Sequence, residues 1–273
     1  MEDVINRYNL WNQQLKEKYY GLFPNAHYTI WDGVIFPELY AKGPLKIMFL
    51  NREPYDNEMA QYQEYDEYDL SVVLKNAIEN NNDIFVRQNA LRTHVKQYLG
   101  VLNTLLDSKL NSLSDEQMNV HIENFIIGNE NFYEMMKSVA YCNIKKSDGK
   151  PRSSTYDLHN YASKGIDILK NQISYFNPSL ILGGNVVDGI LENIGDIWDQ
   201  TALYIPEGER RICIWQLKVG EKPIPFVDMH HPSAVKGMSD YYLELFHALK
   251  EVERTHPGYW ETRLNMPCFI NAH

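Results

Sequence analysis

The stretch Lys46-Ile47-Met48-Phe49-Leu50-Asn51-Arg52-Glu53-Pro54-Tyr55-Asp56 limits the possible folds more than any other part of the chain. Its first half is a short, unbroken apolar run, the pattern of a strand buried on both faces as in a parallel sheet. A proline cannot extend a central strand, so the strand ends near Asn51. Arg52, Glu53, Tyr55 and Asp56 are then displayed at the carboxyl end of a buried strand, where open α/β sheets bind ligands. Alone, the polar half would read as an ordinary surface turn. Two later stretches repeat the pattern: Val139-Ala140-Tyr141-Cys142-Asn143-Ile144-Lys145-Lys146 and Phe226-Val227-Asp228-Met229-His230-His231-Pro232-Ser233-Ala234. Each is an apolar run that stops at residues able to read or polarise a ligand.

The rest of the chain fits around these runs. Val4 to Tyr19 has helical spacing, with Val4, Tyr8, Trp11 and Leu15 on one stripe. The acidic, tyrosine-rich Tyr62 to Tyr68 reads as a loop, its tyrosines as loop packing. Helical spacing returns within Ile84–Leu106 and Asp115–Met136, with a polar break around Asp107 to Ser114. Ser154-x-x-Asp157 is a capping-box pattern opening a helix to about Phe176, which Asn177-Pro178 ends. Leu180-Ile181-Leu182 is a third buried strand; Gly183-Gly184 allows a tight turn, and Asn185 can cap a helix to about Ile194. Ile212 to Leu217 and Ile224 to Met229 are further strands, and Ser239-Asp240 starts a closing helix through Val252.

Strands alternating with helices indicate an α/β fold: a three-layer α/β/α domain around a mostly parallel sheet of about four to five strands. The expected division is 1–44, an N-terminal helical and aromatic extension packed on the core; 45–255, the α/β domain; and 256–273, a C-terminal tail. With 273 residues, 44% of them hydrophobic, the chain can bury one large core.

Composition narrows the function. No apolar stretch reaches about 18 residues, so no membrane partner is expected. Met1-Glu2-Asp3-Val4 lacks the basic start of a secretory signal. Cys142, Cys213 and Cys268 are odd in number and far apart, and fit reduced thiols of a cytoplasmic protein. No CxxC pair points to zinc or an iron–sulfur cluster, and no cofactor is expected. The net charge of −10 opposes a broad nucleic-acid surface. Between Lys137 and Arg152, however, five basic residues face one acid, Asp148, a candidate phosphate contact.

Taken together, these residues resemble the uracil-DNA glycosylase superfamily. Its best-known branch carries G-Q-D-P-Y-H after the first strand, where this chain has Asn51-Arg52-Glu53-Pro54-Tyr55-Asp56. That branch has F-S-V on the approach to a helix; here it is Leu70-Ser71-Val72. An Asn that reads the base closes the family's second strand, as Asn143 would in Cys142-Asn143-Ile144. The third strand often ends in a glycine turn, compared here with Leu182-Gly183-Gly184-Asn185, and the last leads to H-P-S, here His231-Pro232-Ser233. The match in order and spread runs from about residue 45 to 250.

The resemblance implies a glycosylase that removes uracil or a related damaged base from DNA. N-glycosidic cleavage passes through a sugar with oxocarbenium character, which a carboxylate stabilises while orienting water. Glu53 would fill that role, and His231 would stabilise the departing base. Asn143 would read the base edge, with Asn51, Arg52, Pro54, Tyr55 and Leu70 around a pocket for a flipped base. Ser233, with Lys145, Lys146 and Lys236, would hold phosphate. The chain departs from the pattern where Asn51 replaces Gly, Glu53 replaces Asp and Leu70 replaces Phe. Two other readings fit the same fold: a module that binds a nucleotide or base without cleaving it, and a hydrolase of free nucleoside or nucleotide derivatives.

Overall fold

A computed structural model describes residues 2–24, 29–43, 45–53, 67–79, 89–106, 113–128, 136–147, 154–186, 196–204, 211–218, 223–232, 234 and 238–262. Helix α1 (Glu2–Leu22) leads to strands β1 (Thr29–Trp31) and β2 (Gly33–Val34), helix α2 (Pro37–Lys42) and strand β3 (Ile47–Asn51). Strand β4 (Glu67–Asp69) runs into α3 (Leu70–Glu79); α4 (Asn89–Leu106), α5 (Asp115–Gly128) and β5 (Val139–Asn143) come later. The remaining elements are α6 (Thr155–Phe176), β6 (Leu180–Gly184), β7 (Asp196–Tyr204), β8 (Arg211–Lys218), β9 (Ile224–Met229) and α7 (Met238–Thr255).

Among the described residues, seven strands form one sheet in the order β2-β5-β3-β6-β9-β8-β7. The four central strands, β5, β3, β6 and β9, are mutually parallel. Their residues are apolar because both faces are covered. Period-two alternation splits the strands between two cores. Ile47, Phe49, Leu182 and Val227 pack against Leu74 of α3, Tyr98 and Val101 of α4, Met118 of α5 and Leu249 of α7. Met48, Leu50, Ala140, Ile181 and Phe226 pack against Leu158, Leu169, Ile173 and Phe176 of α6. Each fully buried large aliphatic or aromatic side chain contributes about 1.5–3 kcal/mol. Helix α1 lies on α6 through Trp11 stacked on Tyr175, with ring centroids 4.1 Å apart, and Phe23, just past its end, lies on Tyr161 at 4.7 Å. Ser154 caps α6 by accepting from the Asp157 N–H, and Asn177 ends it in the left-handed region at φ 44°.

The central sheet is mostly parallel, as expected, but larger than the expected four to five strands. β2 joins one edge antiparallel to β5, and β8 and β7 extend the other as an antiparallel pair on β9. Strand β7 was not expected, because polar residues interrupt its apolar run. Tyr68 lies not in a loop but in β4, which pairs in parallel with β1. Gly183 and Gly184 complete β6; the left-handed turn comes at Asn185, φ 58°. The glycines are needed for close approach. A Cβ on Gly183 would stand 2.5 Å from Asp228 Oδ1 and 2.7 Å from Phe226 Cζ. The expected helix after Asn185 lies outside the described residues.

Candidate functional site

The carboxyl ends of the four parallel strands line one edge of the sheet. Asn51 and Asn143 are register partners, as are Leu50 and Gly183, and Gly184 and Met229. Pairing between β3 and β5 continues past their ends: Ile144 N–H donates to Asn51 O at 2.9 Å, and Lys145 N–H to Arg52 O at 3.0 Å. Arg52 and Lys145 are thereby held side by side. The chain runs from β3 outward to β5, then crosses back to β6 on the other side of β3. That reversal is a topological switch point, the place where open α/β sheets hold ligands. Asn51 and Gly184 flank it: a Cβ on Gly184 would lie 3.0 Å from Asn51 Oδ1, 2.9 Å from Pro232 Cδ and 3.7 Å from His231 Cδ2. Thus Asn51, Gly184, His231 and Pro232 are packed together.

Glu53 is a buried carboxylate. Its Oε2 pairs with Lys145 Nζ at 3.3 Å, with side-chain exposures of 7% for Glu53 and 9% for Lys145. Its Oε1 is buried and receives no hydrogen bond from a described residue. A buried carboxylate oxygen without a donor is costly, and groups of this kind concentrate where a ligand or water completes the shell. Lys145 Nζ also lies 5.0 Å from the centroid of the Tyr161 ring, a cation–π contact from α6.

Asn143 is clamped by a residue from the N-terminal segment. Asp32 Oδ2 accepts from the Asn143 backbone N–H at 2.6 Å and from its side-chain Nδ2 at 3.1 Å. Asp32 Oδ1 pairs with Lys146 Nζ, which also donates to Asn143 O at 2.9 Å. Gln172 Nε2 donates to Asp32 O at 3.3 Å, and the Lys146 backbone N–H to Tyr19 Oη at 3.1 Å. Burial raises the Asp32 carboxyl pKa, while Lys146 and the Asn143 donors pull it back. Lys146, an expected phosphate contact, is placed here against Asp32. Its ammonium is 2% exposed and committed to Asp32 within the fold. Lys145 is likewise turned to a carboxylate.

His94 of α4 completes the cluster. Its Nε2 is 3.2 Å from Asn51 Oδ1 and its Nδ1 is 3.0 Å from Gln97 Oε1. Phe49 and Tyr141 enclose the ring at 4.1 and 5.4 Å. Burial pushes its pKa down to about 3, so the ring is neutral. A neutral imidazole has one N–H and one lone pair, so one amide accepts from it and the other turns its NH2 to it. His231 is half-buried; burial and the nearby Arg52 charge lower its pKa. Tyr241 donates to His231 O at 2.9 Å and fixes the loop. The neighbouring His230 pairs with Glu244 at 3.7 Å.

Of the other expected site residues, Leu70 is half-buried against the core at the start of α3. Pro54, Tyr55, Ser233 and Lys236 lie outside the described residues. Asp32, His94, Gln97 and Tyr161 were not anticipated. Asp32 carried a signal: it is the one charge in Thr29-Ile30-Trp31-Asp32-Gly33-Val34-Ile35-Phe36, and a lone acid in an apolar run is usually buried and paired. Among the described residues there is no His, Cys, Asp and Glu group that could hold a metal. No described helix is long and apolar enough to cross a membrane.

No protein-family model matches the sequence. No curated protein matches it at a significant level either. Among solved structures, the chain aligns with a domain of unknown function (DUF1537) from Bordetella bronchiseptica, crystallised with bound citrate. The identity is 10% and the TM-score 0.30, over 79% of this chain and 44% of the other, so this chain spans less than half that protein's length.

Proposed function

We propose that the chain is a divergent member of the uracil-DNA glycosylase superfamily that hydrolyses the N-glycosidic bond of uracil or a related damaged base in DNA. The observation that carries this reading is Glu53. It is a buried carboxylate at a parallel-strand end, tied to Lys145 through Oε2 and without a donor on Oε1 among the described residues. Oε1 is then the oxygen that faces the cationic sugar and aligns the attacking water. On the same sheet edge, burial and the Arg52 charge lower the His231 pKa and so favour its neutral imidazole, whose one N–H can donate a hydrogen bond to the leaving base. Asn143 supplies the base-reading amide.

The test is release of free base from an oligonucleotide containing uracil. Glu53→Gln keeps the shape and removes the charge; a lost transition-state interaction of about 3–4 kcal/mol lowers the rate on the order of a hundred- to a thousand-fold. His231→Ala should reduce rate more than affinity. A wild type that releases no base from uracil-, hypoxanthine- or mismatch-containing strands would remove the DNA-glycosylase reading. A second reading, hydrolysis of a free nucleoside or nucleotide derivative, is favoured by one observation. Lys145 and Lys146 are both spent on buried carboxylates in a chain of net charge −10.

A further inference from the structure

We propose that Asp32 and Lys146 are positioning residues that fix the direction of the Asn143 amide, and thereby decide which of two nearly isosteric pyrimidines the site takes. This rests on Asn143 being the base-reading residue of the proposed site. An asparagine amide is almost symmetric in outline, so its two ends differ only in donating or accepting. Whichever end faces the ligand therefore sets the specificity.

The clamp removes the choice. Asp32 Oδ2 takes both the backbone N–H and Nδ2 of Asn143, so the side chain must turn its nitrogen to the carboxylate. Turning the amide over would set Oδ1 against that carboxylate in a buried site, with two acceptors facing and no proton between them. Lys146 keeps the other oxygen of Asp32 occupied and holds the Asn143 carbonyl as well, so neither residue can rotate independently. Asn143 is left with Oδ1 and its second N–H for a ligand, in a fixed order. Uracil offers a ring N–H beside a carbonyl; cytosine offers a ring nitrogen lone pair beside an amino group. The outlines match and the hydrogen-bonding order is reversed. A fixed Asn143 accepts the ring N–H of uracil and opposes the lone pair of cytosine.

Two measurements test this. Asp32→Asn combined with Lys146→Gln removes both buried charges together and lets residue 32 offer an N–H to a turned-over Asn143. Release of uracil and of cytosine from otherwise identical oligonucleotides is then compared. The uracil-to-cytosine rate ratio is expected to fall about tenfold or more, since unpaired polar groups are what such sites discriminate with. A merely structural role would lower both rates and leave the ratio unchanged. The second measurement needs only a fold like the wild type's: NMR of the Asn143 side-chain amide, identified by its loss in Asn143→Asp. The N–H bonded to Asp32 is expected to exchange measurably more slowly than the other. Equal exchange of the two, or an active wild type whose ratio the double variant leaves unmoved, overturns the inference alone. A wild type that releases no base from any strand overturns the reading beneath it, and the inference with it.

Discussion

His94 shows what a single buried ring does to this protein. Its pKa in the fold is about 3, against about 6.5 in an unfolded chain. Between those values the unfolded state binds a proton that the folded state does not, so stability falls as pH falls. From pH 6.5 to pH 5 this one group should remove about 1.5 kcal/mol. Urea unfolding at both pH values, with wild type and His94→Gln, measures it: the variant should lose less stability on acidification by about that amount. His231 titrates in the same direction, so some slope remains. Lys145 makes a second case. Replacing it with Met leaves Glu53 buried without its counter-charge, which costs about 3–5 kcal/mol. The Tm should fall accordingly, and an unchanged Tm would mean that the pair contributes nothing to the stability of the fold.

At the scale of elements, β6 is where backbone closeness replaces side-chain chemistry. Gly183→Ala would press a methyl into Asp228 and Phe226, and overpacking of this kind costs about 1–3 kcal/mol, read as a lowered urea midpoint. Gly184→Ala would press instead on Asn51 and Pro232, so it should harm activity out of proportion to stability. Equal activity at a normal Tm would show that the gap between β3 and β6 is not part of the site. The parallel strands were legible because fully buried strands read as unbroken apolar runs, and their ends as abrupt polar stops. The capping pattern at Ser154 was legible because its chemistry is local. The antiparallel β7 was not, since Asp196, Asp199 and Gln200 break its apolar run. Nor was the fate of Lys146, because a Lys-Lys pair after a strand reads as solvated surface until a carboxylate from a distant segment is found beneath it. His94 had no sequence signal: it reaches Asn51 only because α4 packs on β3.

For the whole molecule, charge and site geometry bear on the same question. A protein that grips DNA through its phosphates releases counterions, and its log affinity falls with log salt by about 0.7–0.9 per phosphate contact. The chain carries −10 overall, and the two lysines at the end of β5 face Glu53 and Asp32. An ammonium held in a buried ion pair releases no counterion when DNA binds. Lys145→Gln should therefore weaken catalysis yet leave the salt slope of oligonucleotide binding unchanged, and Lys146→Gln should also leave it unchanged. Lys236→Ala, if its ammonium contacts phosphate, should flatten the slope by about one contact's worth. The measurement is binding of a uracil-containing single strand across a salt series, for wild type and each variant. A slope that drops by about one contact with Lys145→Gln would show its ammonium leaving Glu53 for a phosphate when DNA arrives. A wild-type slope near zero, together with hydrolysis of a free nucleoside, would assign the site to a small substrate, for which a −10 surface carries no penalty in phosphate repulsion.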